Sequence, residues 1–283
     1  MIISVPTGPT RFLIHLHDLV KLRASKKAHR LHCLRSQLAD ARSFNAFRAC
    51  IDLLELRAMT AGDKLRFAVP GNGEVSALLL RPATARWLLV LGHGAGAGMA
   101  HPFLGRLAGE LAEVGIATLR YQFPYMEEQR RVADRPELLA ATVAAAVRTA
   151  METARGLPLL AGGKSMGGRM TSQAAAEGIL TEVKGLVFFG FPLHPPNHPG
   201  TKRANHLANV SLPMLFLQGT RDTLADLTLL RPICAKLGSL ANLHIIPEAD
   251  HSFHVLKKSG KTDEEVMKEL AQTTACWAGK LNA

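Results

Sequence analysis

A serine hydroxyl is a weak nucleophile unless a base takes its proton and a third group orients the base. Ser165 sits in Gly163-Lys164-Ser165-Met166-Gly167, between an apolar run and an Ala-rich helical stretch. Where a strand turns sharply into a helix, the positions two before and two after the turn are crowded. Glycine belongs there, and the central side chain is thrust out at the helix start. Taken alone, Gly-x-Ser-x-Gly is also a tight glycine turn with an idle serine. Order along the chain adds to it. Asp222 follows the apolar run 214–217, and His251 follows the run 243–246. Serine, acid, histidine, each just past a strand end, is an arrangement in which His251 takes the Ser165 proton and Asp222 holds the imidazole tautomer.

Competing residues lie close by. Asp226 could replace Asp222, but its position places it inside the next helix. Asp250 adjoins His251, which points its side chain elsewhere. His254 could be the base, but reads as facing the following helix. The developing oxyanion needs two preorganised N–H donors. The residue after the nucleophile, Met166, supplies one. The other belongs to the loop Gly92-His93-Gly94-Ala95-Gly96-Ala97-Gly98, where Ala95 is first choice and Gly94 the reserve. His93 reads as a brace for that loop. The loop has the spacing neither of a phosphate-binding loop nor of a dinucleotide fingerprint. Arg169, just behind the nucleophile, is expected to brace the site, with a loop carboxylate as its candidate partner.

These residues need a scaffold. Residues 64–69 and 75–81 read as strands around Gly71-Asn72-Gly73, an antiparallel hairpin signal. Apolar runs follow at 87–91, 116–121, 157–160, 186–189, 214–217 and 243–246. Near-continuous apolar strands suit a parallel sheet buried on both faces. Helical stretches separate them at 102–114, 136–153, 168–178, 224–237 and 262–281. Asp134 is the expected cap of the second, with Pro136 in its first turn. The order implies an open α/β sheet with an antiparallel edge, whose sites lie at the carboxyl ends of the strands. The segment 191–212, with His194, Pro195, Pro196, Lys202 and Arg203, reads as a Pro-stiffened loop, too small for a lid domain. Glu127, Glu128, Arg130 and Arg131 read as solvated surface.

Composition narrows the class. With 283 residues, 47% hydrophobic and 20% charged, the chain holds a self-sufficient core and is no disordered protein. Cys33, Cys50, Cys234 and Cys276 form no CxxC pair, which fits a reducing, cytoplasmic setting and argues against zinc ribbons. No apolar run is long enough to span a bilayer. The net charge of +11 is concentrated at the start: residues 1–58 hold ten Lys/Arg against four Asp/Glu. Helical spacing appears there at 31–41 and 47–54. The basic run 21–30 reads as solvated, with nucleic-acid or anionic-membrane contact the alternative. Residues 1–58 are thus an N-terminal extension, a transit peptide or sequence upstream of a true start at Met59, and the expected domain is 59–283.

The blocks Gly92-His93-Gly94-Ala95-Gly96, Gly162 to Arg169, Phe191-Pro192-Leu193-His194-Pro195-Pro196, Gln218-Gly219-Thr220-Arg221-Asp222 and Asp250-His251-Ser252-Phe253 together resemble the α/β-hydrolase superfamily. More narrowly, they look like its bacterial dienelactone-hydrolase-like group. The resemblance covers roughly residues 62–281. It implies the α/β-hydrolase fold: a mostly parallel twisted sheet with an antiparallel N-terminal edge, helices on both faces and no large cap. It also implies Ser165, Asp222 and His251 as triad. Dienelactone hydrolases proper use a cysteine nucleophile, so serine points to ordinary ester hydrolysis. The expected activity is that of a carboxylesterase or thioesterase on a small acyl ester, with no cofactor and no metal. The rival expectation is a non-catalytic scaffold of the same fold.

Overall fold

A computed structural model describes residues 2–7, 10–15, 62–154 and 156–281. The chain divides into two units, Met1–Ala58 and Met59–Ala283. In the first, β1 (Ile2–Thr7) and β2 (Thr10–His15) pair antiparallel, with Ile2 opposite His15. The sequence did not announce this hairpin: Pro6 argues against a strand, and no clean alternation marks it. The helical spacing at 31–41 and 47–54 and the basic run 21–30 lie outside the described residues.

The second unit is built on an eight-stranded sheet in the order β10-β9-β8-β7-β5-β6-β4-β3. Its edge hairpin is β3 (Asp63–Val69) against β4 (Gly73–Leu80), antiparallel, with Phe67 opposite Val75. β4 also runs antiparallel to β6 (Ile116–Tyr121). All other neighbours are parallel: β5 (Trp87–Gly92), β7 (Leu159–Lys164), β8 (Val183–Phe189), β9 (Met214–Gly219) and β10 (Ala241–Ile246). Side chains alternate across a strand. Leu88 and Val90 of β5 therefore enter one core, and Trp87, Leu89 and Leu91 the other. Two buried faces explain why the central strands are apolar throughout.

Helices cover both faces. α1 (Pro102–Glu113) and α6 (Asp263–Lys280) close one core with Leu104, Leu107, Leu111, Val266 and Leu270. α3 (Pro136–Thr153), α4 (Met166–Ala176) and α5 (Leu227–Leu237) close the other. α6 starts with a reciprocal capping box: Thr262 accepts from the Glu265 amide, and Glu265 accepts from the Thr262 amide. The short α2 (Pro124–Glu127) lies between β6 and α3. Among the described residues no helix is long and apolar enough to cross a membrane.

Several expectations need correction. β7 does not stop at Leu160 but runs on through Gly162 and Gly163 to Lys164. A glycine pair ends an apolar pattern without ending a strand. Asp134 does not cap α3. The cap position is Arg135, with no side-chain bond, and Asp134 accepts from the Tyr125 amide and pairs with Arg130. Glu127 is more than solvated surface. It accepts from the Ser76 amide at 3.0 Å, the Ser76 hydroxyl at 2.8 Å and Arg66 at 3.1 Å, tying α2 to β4 and to Arg66 of β3. Burial opposes charge on Glu127, but these bonds outweigh it and hold its carboxyl below the ordinary value. The connection from β8 to β9 is an irregular loop followed by the 3₁₀ segment Lys202–Asn209, with no cap domain.

Candidate active site

The turn from β7 into α4 carries Ser165. Its φ of 52° and ψ of −116° lie where a side chain is strained, the geometry expected of a residue forced outward at a strand-to-helix elbow. The flanking glycines are required by contact. A Cβ on Gly163 would meet the Gly92 carbonyl oxygen at 2.5 Å, and one on Gly167 would meet it at 2.4 Å. Both close approaches are backbone against backbone, from β5 to the elbow, so nothing can move aside cheaply.

His251 arrives on the loop after β10, and its Nε2 lies 2.9 Å from Ser165 Oγ. Its Nδ1 lies 2.7 Å from Asp222 Oδ2, beyond β9. Asp222 accepts, so Nδ1 carries the hydrogen and Nε2 is free to accept from the serine hydroxyl. The carboxylate is sealed from solvent and has two further donors. The Leu224 amide reaches Oδ1 at 2.8 Å and the Gln218 side-chain amide reaches Oδ2 at 2.5 Å.

The competing residues are committed elsewhere. Asp226 is not inside α5 but is its N-cap, accepting from the Thr228 amide at 2.8 Å. Asp250 accepts from the amides of Ser252 and His254 and so organises the turn that presents His251. His254 pairs with Asp263 at the start of α6. Arg169 has no ion-pair partner among the described residues, contrary to the expected loop carboxylate. Burial and then the neighbouring Arg203 lower its proton affinity.

The loop after β5 is held from below. His93 is fully buried and its Nδ1–H donates to the Gly94 carbonyl at 2.8 Å, while its Nε2 accepts from the Phe123 amide at 3.1 Å. Burial pushes its pKa down to about 4, so the ring is neutral at pH 7. The C=O and N–H of a trans peptide point in opposite directions. Fixing the Gly94 carbonyl on His93 therefore turns the Ala95 N–H the other way. The loop lies against the nucleophile: a Cβ on Gly94 would sit 3.7 Å from Ser165 Cβ. Neither the Ala95 nor the Met166 amide donates within the protein among the described residues.

Two supports escaped the sequence. Gln218 accepts from the Phe191 amide at 3.0 Å and donates to Asp222, joining β9, the acid and the start of the loop after β8. Its signal was a polar residue directly after the apolar run 214–217, which the fold buries completely. The Tyr125 hydroxyl accepts from the Gly96 amide at 3.0 Å, and nothing in its spacing marks that.

Solved structures of the same fold cover most of the described sheet unit. A dienelactone hydrolase from Anabaena variabilis is 24% identical, with 77% of this chain and 97% of that one aligned and a TM-score of 0.58. A serine hydrolase without a lid from Xanthomonas campestris is 19% identical over 77% of this chain and 95% of that one, at 0.62. An esterase domain from Rhodothermus marinus is 14% identical over 76% and 97%, at 0.57. The family model for the alpha/beta hydrolase domain matches residues 85–279, from the start of β5 to the last turn of α6. That span holds the elbow, the acid, the histidine and the glycine loop, and with the eight-stranded sheet it makes this chain a member of the alpha/beta hydrolase domain family.

Proposed function

We propose that the protein is a serine hydrolase that cleaves a small carboxylic ester or thioester through an acyl-enzyme on Ser165. The observation that carries this reading is the continuous relay from Ser165 Oγ through His251 to the buried Asp222, at 2.9 and 2.7 Å. His251 takes the serine proton as Oγ attacks the substrate carbonyl. The tetrahedral oxyanion is held by the amides of Ala95 and Met166. The imidazolium, stabilised by Asp222, then protonates the leaving alkoxide or thiolate. Water, activated by the same histidine, resolves the acyl-enzyme. The connection from β8 to β9, an irregular loop and a 3₁₀ segment in place of a cap domain, favours short acyl groups over long chains.

Treatment with a fluorophosphonate, mapped by mass spectrometry, tests the reading. One adduct is expected on Ser165. Ser165→Ala should lose that adduct and lower hydrolysis of p-nitrophenyl acetate by roughly 10³-fold or more, with little change in melting temperature. A folded wild-type protein that forms no adduct would reject the hydrolase and leave the non-catalytic scaffold.

A further inference from the structure

One charged group stands beside this site without a role in the relay. Lys164 immediately precedes Ser165, and alternation along β7 sends its side chain to the side of the sheet opposite Gly163. The residue is half-buried, but its Nζ is sealed from solvent and has no hydrogen-bond partner among the described residues. An ammonium so placed is costly, and a methionine would fill the same space without that cost.

What surrounds the ammonium shows what offsets the cost. Phe103 of α1 and Phe253 of the histidine loop stack with centroids 5.9 Å apart, and Nζ lies 5.9 and 5.8 Å from their centres. Their π faces favour a cation. On another side is Gly190, at the end of β8, with φ of +73°. A Cβ there would be 3.2 Å from Lys164 Nζ, 3.4 Å from His251 Nδ1 and 3.5 Å from Asp222 Oδ2. Three polar atoms thus converge on one point that only a glycine leaves open. The lysine stem also packs against the glycine loop: a Cβ on Gly94 would be 3.8 Å from its Cγ.

We propose that Lys164 is a positioning residue of the triad, a buried cation that keeps the Asp222 carboxylate charged and opposes protonation of His251, so extending the working range toward acid. The inference rests on the hydrolase reading above. Among the described residues, the charged and titratable groups facing Lys164 are Asp222 from the loop after β9, and His251 and Asp250 from the loop after β10. α1 and β8 bring Phe103 and Gly190, which carry no charge. Burial pushes the Lys164 pKa down to about 8, with Asp222 and then Asp250 opposing the fall. The ammonium is therefore mostly charged at neutral pH.

The test compares wild type with Lys164→Met, which keeps the stem and removes the charge. In the pH profile of kcat/KM for p-nitrophenyl acetate, the acidic limb should move to higher pH by roughly half a unit to one unit, with KM unchanged. An unmoved limb in a folded variant, or a loss confined to KM, overturns the proposal. A second measurement does not need turnover. NMR of ¹³Cε-labelled lysine should show Lys164 titrating near pH 8, and lower still in Asp222→Asn, because coupling between two charges is reciprocal. Titration at the ordinary lysine value, or no response to Asp222→Asn, also overturns it. If fluorophosphonate fails to label wild-type Ser165, the hydrolase reading falls. The lysine titration then decides the electrostatic coupling separately.

Discussion

At the scale of residues, the site is a set of donors and acceptors each held by a neighbour. Asp222 can orient His251 because Gln218 and the Leu224 amide hold its two oxygens. Gln218→Ala removes one of those bonds and leaves the Phe191 amide without its acceptor. A kcat roughly tenfold lower at unchanged KM is expected, about one hydrogen bond of orientation. An unchanged kcat would mean that His251 and Leu224 suffice. His93 gives a prediction with a sign. Its folded pKa is about 4 against 6.5 for a free imidazole, so the unfolded chain binds the extra proton between those values. Stability should therefore fall as pH drops from about 6.5 to 4, by up to about 3 kcal/mol from His93. His206, half-buried beside Arg169 and also lowered to about 4, acts in the same direction. Urea midpoints taken from pH 7 to pH 4.5 check this, and the slope should flatten in His93→Gln.

At the scale of elements, the elbow is where three backbones meet. β5 approaches Gly163 and Gly167 so closely that a methyl group at either would overlap a carbonyl. Gly167→Ala should cost several kcal/mol or prevent folding, because the obstacle is main chain and not a flexible side chain. Thermal unfolding checks it, and a variant with near wild-type melting would show that the elbow can relax. Pattern and turn residues made most elements legible: the edge hairpin, β6 and α3 match their expected spans closely. The misread boundaries share one cause. Glycines hid the second half of β7, and Asp134 and Asp226 were assigned by spacing, although a carboxylate binds whichever amide the tertiary fold brings near.

At the scale of the whole molecule, Ser165, Asp222, His251, the glycine loop and both cores belong to the unit Met59–Ala283. A chain begun at Met59 is expected to fold and to keep fluorophosphonate labelling of Ser165 at a rate within about twofold of the full chain. The tenfold scale of one broken hydrogen bond makes a larger loss meaningful. Loss of labelling in a folded truncation would give the first 58 residues a part in the site. The sheet explains why residues 86 positions apart in sequence, Ser165 and His251, come within a hydrogen bond. Parallel strands bring their carboxyl ends to one rim, and each loop after β5, β7, β9 and β10 starts there.

By itself the sequence determined the alternation of strands and helices, the glycine-flanked Ser165 and the order of serine, acid and histidine. Those features are local: periodicity and turn chemistry act over a few residues. Strand-end placement favoured Asp222 as the acid, and the tertiary structure supplied its bond to His251 and gave Asp226 and Asp250 other partners. Only the tertiary structure set Gln218 behind the acid and the Lys164 ammonium beside the relay, and it gave His93, read from the sequence as a brace, its two backbone partners. Such contacts join segments far apart in the chain, and a buried polar group takes its role from the partners that folding assembles around it.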